Sequence, residues 1–164
     1  MATIQQLLKL LNDHSVEFVV VGGVAANIHG SARATFDLDV CSPLDEPNLK
    51  RIVDALQDLH PKFRMHPAQP PLFDVDRLIG FRNLNLTTDW GVIDILAEVT
   101  GVGAYQDVLK HSVEMTVYGL AIKILDLSAL IDAKRAAGRP KDLHALPELE
   151  FILSHTPKPG AGHE

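Results

Sequence analysis

Cysteine is almost missing from this 164-residue chain, with Cys41 as the single example. A lone thiol excludes a disulfide framework, and without a C-x-x-C pair there is no zinc ribbon. Basic charge is also scarce: 15 Lys and Arg face 21 Asp and Glu, a formal net charge of −6. That balance argues against a protein whose whole surface grips nucleic acid, a task that needs many cations against phosphate. It leaves room for a small basic site. No apolar run approaches the ~18 residues of a membrane-spanning helix. The amphipathic start, Met1 to Leu11, lacks the cationic head and small-residue cleavage site of a signal peptide. A cytoplasmic protein with no membrane partner is therefore expected.

What the chain does have is enough apolar material for a core. With 46% hydrophobic residues, a chain near this length buries roughly 70% of its unfolded surface without disulfides or a structural metal. The expected organisation is one domain over residues 1–154 and a flexible, polar, Pro- and Gly-containing tail over 155–164. Apolar positions at Ile4, Leu7, Leu8, Leu10 and Leu11 recur with a helical period. Phe18 to Val21, rich in β-branched residues and closed by Gly22-Gly23, reads as a buried strand, and Val24 to His29 as a short helix. Thr35 to Cys41 is a second strand, and Pro47 opens a helix. His60 to Asp76 carries four prolines and no period, so it reads as a long surface excursion or a distorted edge, where acceptor specificity would reside. Arg82 to Thr87 and Val92 to Leu96 form an antiparallel pair turned at Asp89-Trp90-Gly91. A helix near Tyr105 to His111, a hairpin around Gly119, and helices at Leu127 to Ala137 and Lys141 to Leu153 follow. The expected class is α/β (α+β), a mixed sheet of four or five strands with flanking helices.

Three carboxylates stand where a core should be. Asp37 and Asp39 sit at i and i+2, so a strand would project both from one face. Asp94 interrupts the apolar run Val92 to Leu96. An unpaired buried carboxylate costs several kcal/mol or is forced to protonate, so a neutralising partner is expected. Three oxygen ligands from adjacent strands suit a hard divalent ion such as Mg²⁺. The plainer alternative is that Asp37 and Asp39 are solvated at a strand end and that Asp94 pairs with Arg33 or Arg82. Gly22-Gly23, after a strand and at a helix start, lets a phosphate approach the backbone. Lys134 to Lys141 packs four cations into eight residues. They complement a helix end, or Lys134, Arg139 and Lys141 meet a triphosphate. Arg33 and Thr35 precede the carboxylates and are placed to orient them or the substrate. His29 is either an anion contact or a helix-end residue satisfying backbone groups, and Trp90, in a turn, is expected to pack.

Taken together, Gly22-Gly23, His29-Gly30, Arg33, Thr35, Asp37-Leu38-Asp39 and Asp94 resemble the nucleotidyltransferase superfamily with the DNA polymerase β-type catalytic fold. The segment Leu130 to Leu143, with its Lys-Arg-x-x-Gly-Arg-x-Lys-Asp pattern, is similar to small bacterial members. The thirteen residues between Gly23 and Asp37 set the chain apart from minimal members with a ten-residue spacing. They bring it closer to nucleotidyltransferase-like proteins of abortive-infection and toxin–antitoxin systems. The resemblance implies Mg²⁺ on Asp37, Asp39 and Asp94, a two-metal site, and a nucleoside triphosphate at Gly22 and Gly23. It also implies transfer of a nucleoside monophosphate to a hydroxyl on tRNA, a protein or a small molecule, with a cognate antitoxin among the partners. The competing reading is a catalytically idle nucleotide-sensing or interaction module on the same fold.

Overall fold

The structure, a computed structural model, describes residues 2–65 and 72–157. Helix α1 (Ala2–Asp13) buries Ile4, Leu7, Leu8 and Leu11, the stripe its period dictates. Three valines make β1 (Val19–Val21), after which Gly22, at φ +65°, turns the chain into α2 (Gly22–Ile28). Next come β2 (Leu38–Cys41) and α3 (Glu46–Leu56), whose start Asp45 caps by accepting from the Asn48 amide. Two-residue β3 (Lys62–Phe63), short α4 (Val75–Leu78), β4 (Asn83–Thr88) and β5 (Gly91–Leu96) follow. A small ribbon, β6 (Glu98–Val99) with β7 (Gly103–Ala104), leads into α5 (Tyr105–Lys110). The chain continues through β8 (Ser112–Val117), β9 (Leu120–Leu125), α6 (Leu127–Ala137) and α7 (Pro140–His155).

Among the described residues, seven strands form one mixed sheet in the order β3-β4-β5-β2-β1-β9-β8. The class is as expected, but the sheet is larger than four or five strands. The hairpin β8–β9 joins it through the parallel pair Val20↔Ile124, and β3 adds an edge against β4. That edge is what the proline-rich stretch supplies. The middle of the stretch, 66–71, lies outside the described residues, as do residues 158–164 of the expected tail. Helix α7 reaches His155, two residues past the expected end. Strand β2 starts at Leu38 rather than Thr35, because its partner β1 ends at Val21, opposite Asp39. Asp37 therefore precedes the strand and is exposed.

Register decides the two faces. Ile124, Val20, Val40, Ile95 and Leu84 lie side by side across five strands, and all are buried in the core. The opposite face is split. Val21 and Leu125 are covered there, whereas Asn83 and Thr87 of β4 are exposed. Asp39 stands at the boundary between the covered half and the open half. A buried polar knot ties β2 to α3: the Asn48 amide donates to Ser42 Oγ and Pro43 O at 2.8 Å and accepts from the Glu17 N–H at 2.9 Å.

The junction of α6 and α7 carries a second buried acid. Asp142, only 1% exposed, accepts from Arg139 Nε at 2.6 Å and from Lys134 Nζ at 3.4 Å. Burial pushes its carboxyl up, but the hydrogen bond and charge of Arg139, with Lys134, outweigh burial and hold it below its ordinary value. A carboxylate with a lowered folded pKa contributes stability that is present at neutral pH and lost as pH falls through that pKa. Asp142→Asn should cost about 2–3 kcal/mol at pH 7, less than a fully buried pair because Arg139 is 61% exposed and regains water. The gap between wild type and variant should close in acid. Urea unfolding at pH 7 and in the acid range checks both parts.

Candidate active site

Strands β1, β2 and β5 deliver the site. β2 and β5 run parallel with Asp39 opposite Asp94, so the two carboxylates stand side by side on the half-open face. The row continues across the sheet: Asp94 lies opposite Asn85, whose carbonyl accepts from the Arg64 N–H at 3.0 Å. From the end of β3 the Arg64 guanidinium reaches back to pair with Asp94. Asp94 thus has a counter-ion, but it is neither Arg33 nor Arg82. Arg33 donates to His144 O at 2.8 Å, and Arg82 meets Glu98 at 3.6 Å.

Asp39 is the strained member. Burial, then the charge of Asp94, a hydrogen bond with Asp94 and the charge of Asp37 raise its pKa to about 7, while Lys134 opposes the rise. Gly22 packs directly on the Asp39 carboxylate, leaving no space for a Cβ, and a Cβ on Gly23 would lie 2.7 Å from Thr35 Oγ1. Close approach therefore requires both glycines, and the turn requires Gly22 in addition.

Nine of the ten residues singled out from the sequence line one cavity of about 280 Å³: Gly22, Gly23, Arg33, Thr35, Asp37, Asp39, Lys134, Arg139 and Lys141. Asp94 stands next to Asp39 but does not line it. A second cavity, about 330 Å³, shares Gly22, Asp39, Lys134 and Arg139 and opens toward Asn83 and Glu98. The cations are not equal. Lys134 and Arg139 share Asp142, whereas Lys141 has no ion-pair partner among the described residues. Among the described residues, no group of three His, Cys, Asp or Glu side chains is arranged to hold a metal ion with the side chains as they stand. Asp39 is hydrogen-bonded to Asp94, and Asp94 is held by Arg64.

His29 donates from Nε2 to Leu125 O at 2.8 Å, so it satisfies backbone. Trp90, in the β4–β5 turn, packs against the core. Three contributors escaped sequence reasoning. Arg64 carried no local signal. Asp142 had one, an acid three residues after Arg139 at a helix start, the spacing of a capping box. Glu148 of α7 accepts from Ser31 Oγ and, at 3.1 Å, from the Ala32 N–H. With Arg33 bound to His144 O, it clamps the loop that leads to Asp37.

No family model matches the chain, and no curated protein matches its sequence. Among the described residues, no helix is long and apolar enough to cross a membrane. Among solved structures, the chain is similar to a Thermotoga maritima protein described as a "putative nucleotidyltransferase (TM1012)". The TM-score is 0.58 and the identity 16%, over 90% of each chain. At that identity the likeness is one of fold alone, the mixed sheet with its flanking helices.

Proposed function

We propose that this chain is a nucleotidyltransferase that moves a nucleoside monophosphate from a nucleoside triphosphate to a hydroxyl acceptor and releases pyrophosphate. The observation that carries the reading is the adjacency of Asp39 and Asp94 on paired strands, directly beside the Gly22 turn. In this reading Asp37, Asp39 and Asp94 hold Mg²⁺. The donor set fits, since all are hard carboxylate oxygens. Asp39, crowded by two other anions, is the group whose charged form a cation would favour. When bound, Mg²⁺ neutralises charge on the transferring phosphoryl group.

The chain's own residues do the rest. Gly22 and Gly23 admit the triphosphate close to the backbone, and Lys134, Arg139 and Lys141 supply positive charge along the same cavity. Arg33 and Thr35 fix the loop that bears Asp37. The Asp94 carboxylate accepts the proton of the attacking hydroxyl. The acceptor is a hydroxyl on tRNA, a protein or a small molecule. The resemblance to abortive-infection proteins adds the proposal that the chain is the toxin of a toxin–antitoxin pair, which an adjacent regulator-like antitoxin gene would support.

A second reading, an idle nucleotide-sensing module, is favoured by one observation: Arg64 already neutralises Asp94. The two readings separate on turnover. Labelled ATP, CTP, GTP and UTP with cell extract should label an acceptor and release pyrophosphate. Asp39→Asn should cut labelling at least about 10²–10³-fold, the scale of removing one preorganised hydrogen-bonding group from an active site. Equal labelling by both proteins would sink the assignment, and tight triphosphate binding without pyrophosphate release would select the idle module.

Glycine substitutions probe the turn. Gly22→Ala puts a methyl into the Asp39 carboxylate and should abolish labelling. Gly119→Ala, also at positive φ but with open space around it, should cost only some stability.

Linkage gives another test on the metal-free protein. A carboxyl whose folded pKa is raised to about 7 binds a proton in the folded state that the unfolded chain has already released. Stability in EDTA should therefore fall as pH rises from about 4 to about 7. Asp39→Asn should flatten that fall. At pH 8, Mg²⁺ should raise the Tm of wild type and leave Asp39→Asn unchanged. Thermal melts across pH, with and without Mg²⁺, read all three.

A further inference from the structure

The two edges of the sheet are treated differently. At one end β3 is two residues long, follows Pro61 and carries Lys62, the features that blunt an edge against pairing. At the other end β8 runs six residues, Ser-Val-Glu-Met-Thr-Val, with no proline and no lysine. Among the described residues its ladder bonds go only to β9, so its outer row of N–H and C=O groups is unpaired. Beside that row lies a groove of about 480 Å³ between β8 and helices α1 and α2, walled by Ile4, Val24, Ile28, Met115 and Val117. Val113 is 41% exposed and Tyr118 53% exposed along the same edge.

We propose that this edge pairs with β8 of a second copy of the chain, antiparallel, across a two-fold axis normal to the sheet and centred on Met115. Such an axis keeps the same face up in both copies, so residues of equal parity oppose one another. Centring on Met115 sets Met115 against its own copy and Val113 against Val117. On that face the row Ile122, Met115, Met115, Ile122 is apolar from one β9 to the other, and so is Ile124, Val113, Val117, Leu120. On the other face Glu114 lies opposite Thr116 and keeps Lys123 of its own β9 as a neighbour, so no like charges meet. Moving the centre one residue, to Glu114, would oppose two glutamates. The sequence of β8 is thus self-complementary when centred on Met115, where the most apolar pairs meet, and this complementarity selects a second copy over an unrelated strand. Thr35, which lines the groove and packs against Gly23, would lie behind the new interface, so the partner would sit on the outer side of the loop leading to Asp37.

Light scattering over a concentration series should give twice the 17.9 kDa mass of the chain, and Met115→Lys, which opposes two lysines on the axis, should halve it. Circular dichroism shows whether Met115→Lys is folded. Disulfide trapping tests the register without relying on that variant. Met115→Cys should cross-link to its copy on mild oxidation, while Val113→Cys alone should not. Val113→Cys combined with Val117→Cys should cross-link again. The one native thiol, Cys41, is fully buried and does not compete. A single-chain mass at every concentration, or a dimer that persists in Met115→Lys and traps at none of these positions, would overturn the proposal.

Discussion

Parallel pairing of β2 with β5 holds two carboxylates one strand spacing apart, about 4.8 Å, and neither can withdraw without breaking the ladder. A one-residue slip would remove the conflict only by turning Asp39 into the apolar layer. At an effective dielectric near 20, two like charges about 4 Å apart repel by roughly 4 kcal/mol, a large fraction of a domain's net stability. The surroundings answer that repulsion. Asp39 holds its proton up to about pH 7, Arg64 crosses from β3 to Asp94, and Lys134 adds positive charge from α6. The boundary between the covered and open halves of the face is also where such a pair is tolerable, because water reaches part of it.

Lys134 and Arg139 serve two acids at once. Both pair with Asp142, Lys134 also opposes the rise at Asp39, and Asp39 in turn favours the charged form of Arg139. The junction of α6 with α7 and the carboxylate row are therefore one electrostatic unit. A cation drawn toward a ligand in the cavity weakens its hold on Asp142, so charge at the candidate site and packing of the last helices are coupled.

Much of this was legible from the chain alone, for reasons that can be named. Helix α6 carries an apolar period with Asp126 at its start and Gly138 at its end, and its limits are those the pattern predicts. The β8–β9 hairpin turns at Tyr118-Gly119, both at positive φ, where glycine is the visible signal. Elements of two to four residues, β3, β6, β7 and α4, are too short to show a period. The D-x-D pair and the glycines are local and could be read. The partner of Asp94 could not be, because strand order, thirty residues away in sequence, selects Arg64 over Arg33 and Arg82. Asp142 has a readable spacing, but it follows four cations that a solvated helix end explains without it.

The clamp from α7 onto residues 31–33 has a kinetic meaning. Its contacts, Ser31 and Ala32 to Glu148 and Arg33 to His144, close loops of 111 to 117 residues. Synthesis proceeds from the N-terminus, so β1, the glycine turn and the carboxylates of β2 all emerge long before the helix that orders the loop between them. The apolar row behind them closes when β9 delivers Ile124, while the loop that approaches the acidic row still lacks its clamp. Order in the loop beside the cavity therefore comes only with α7, so the cavity's two walls are assembled at opposite ends of synthesis.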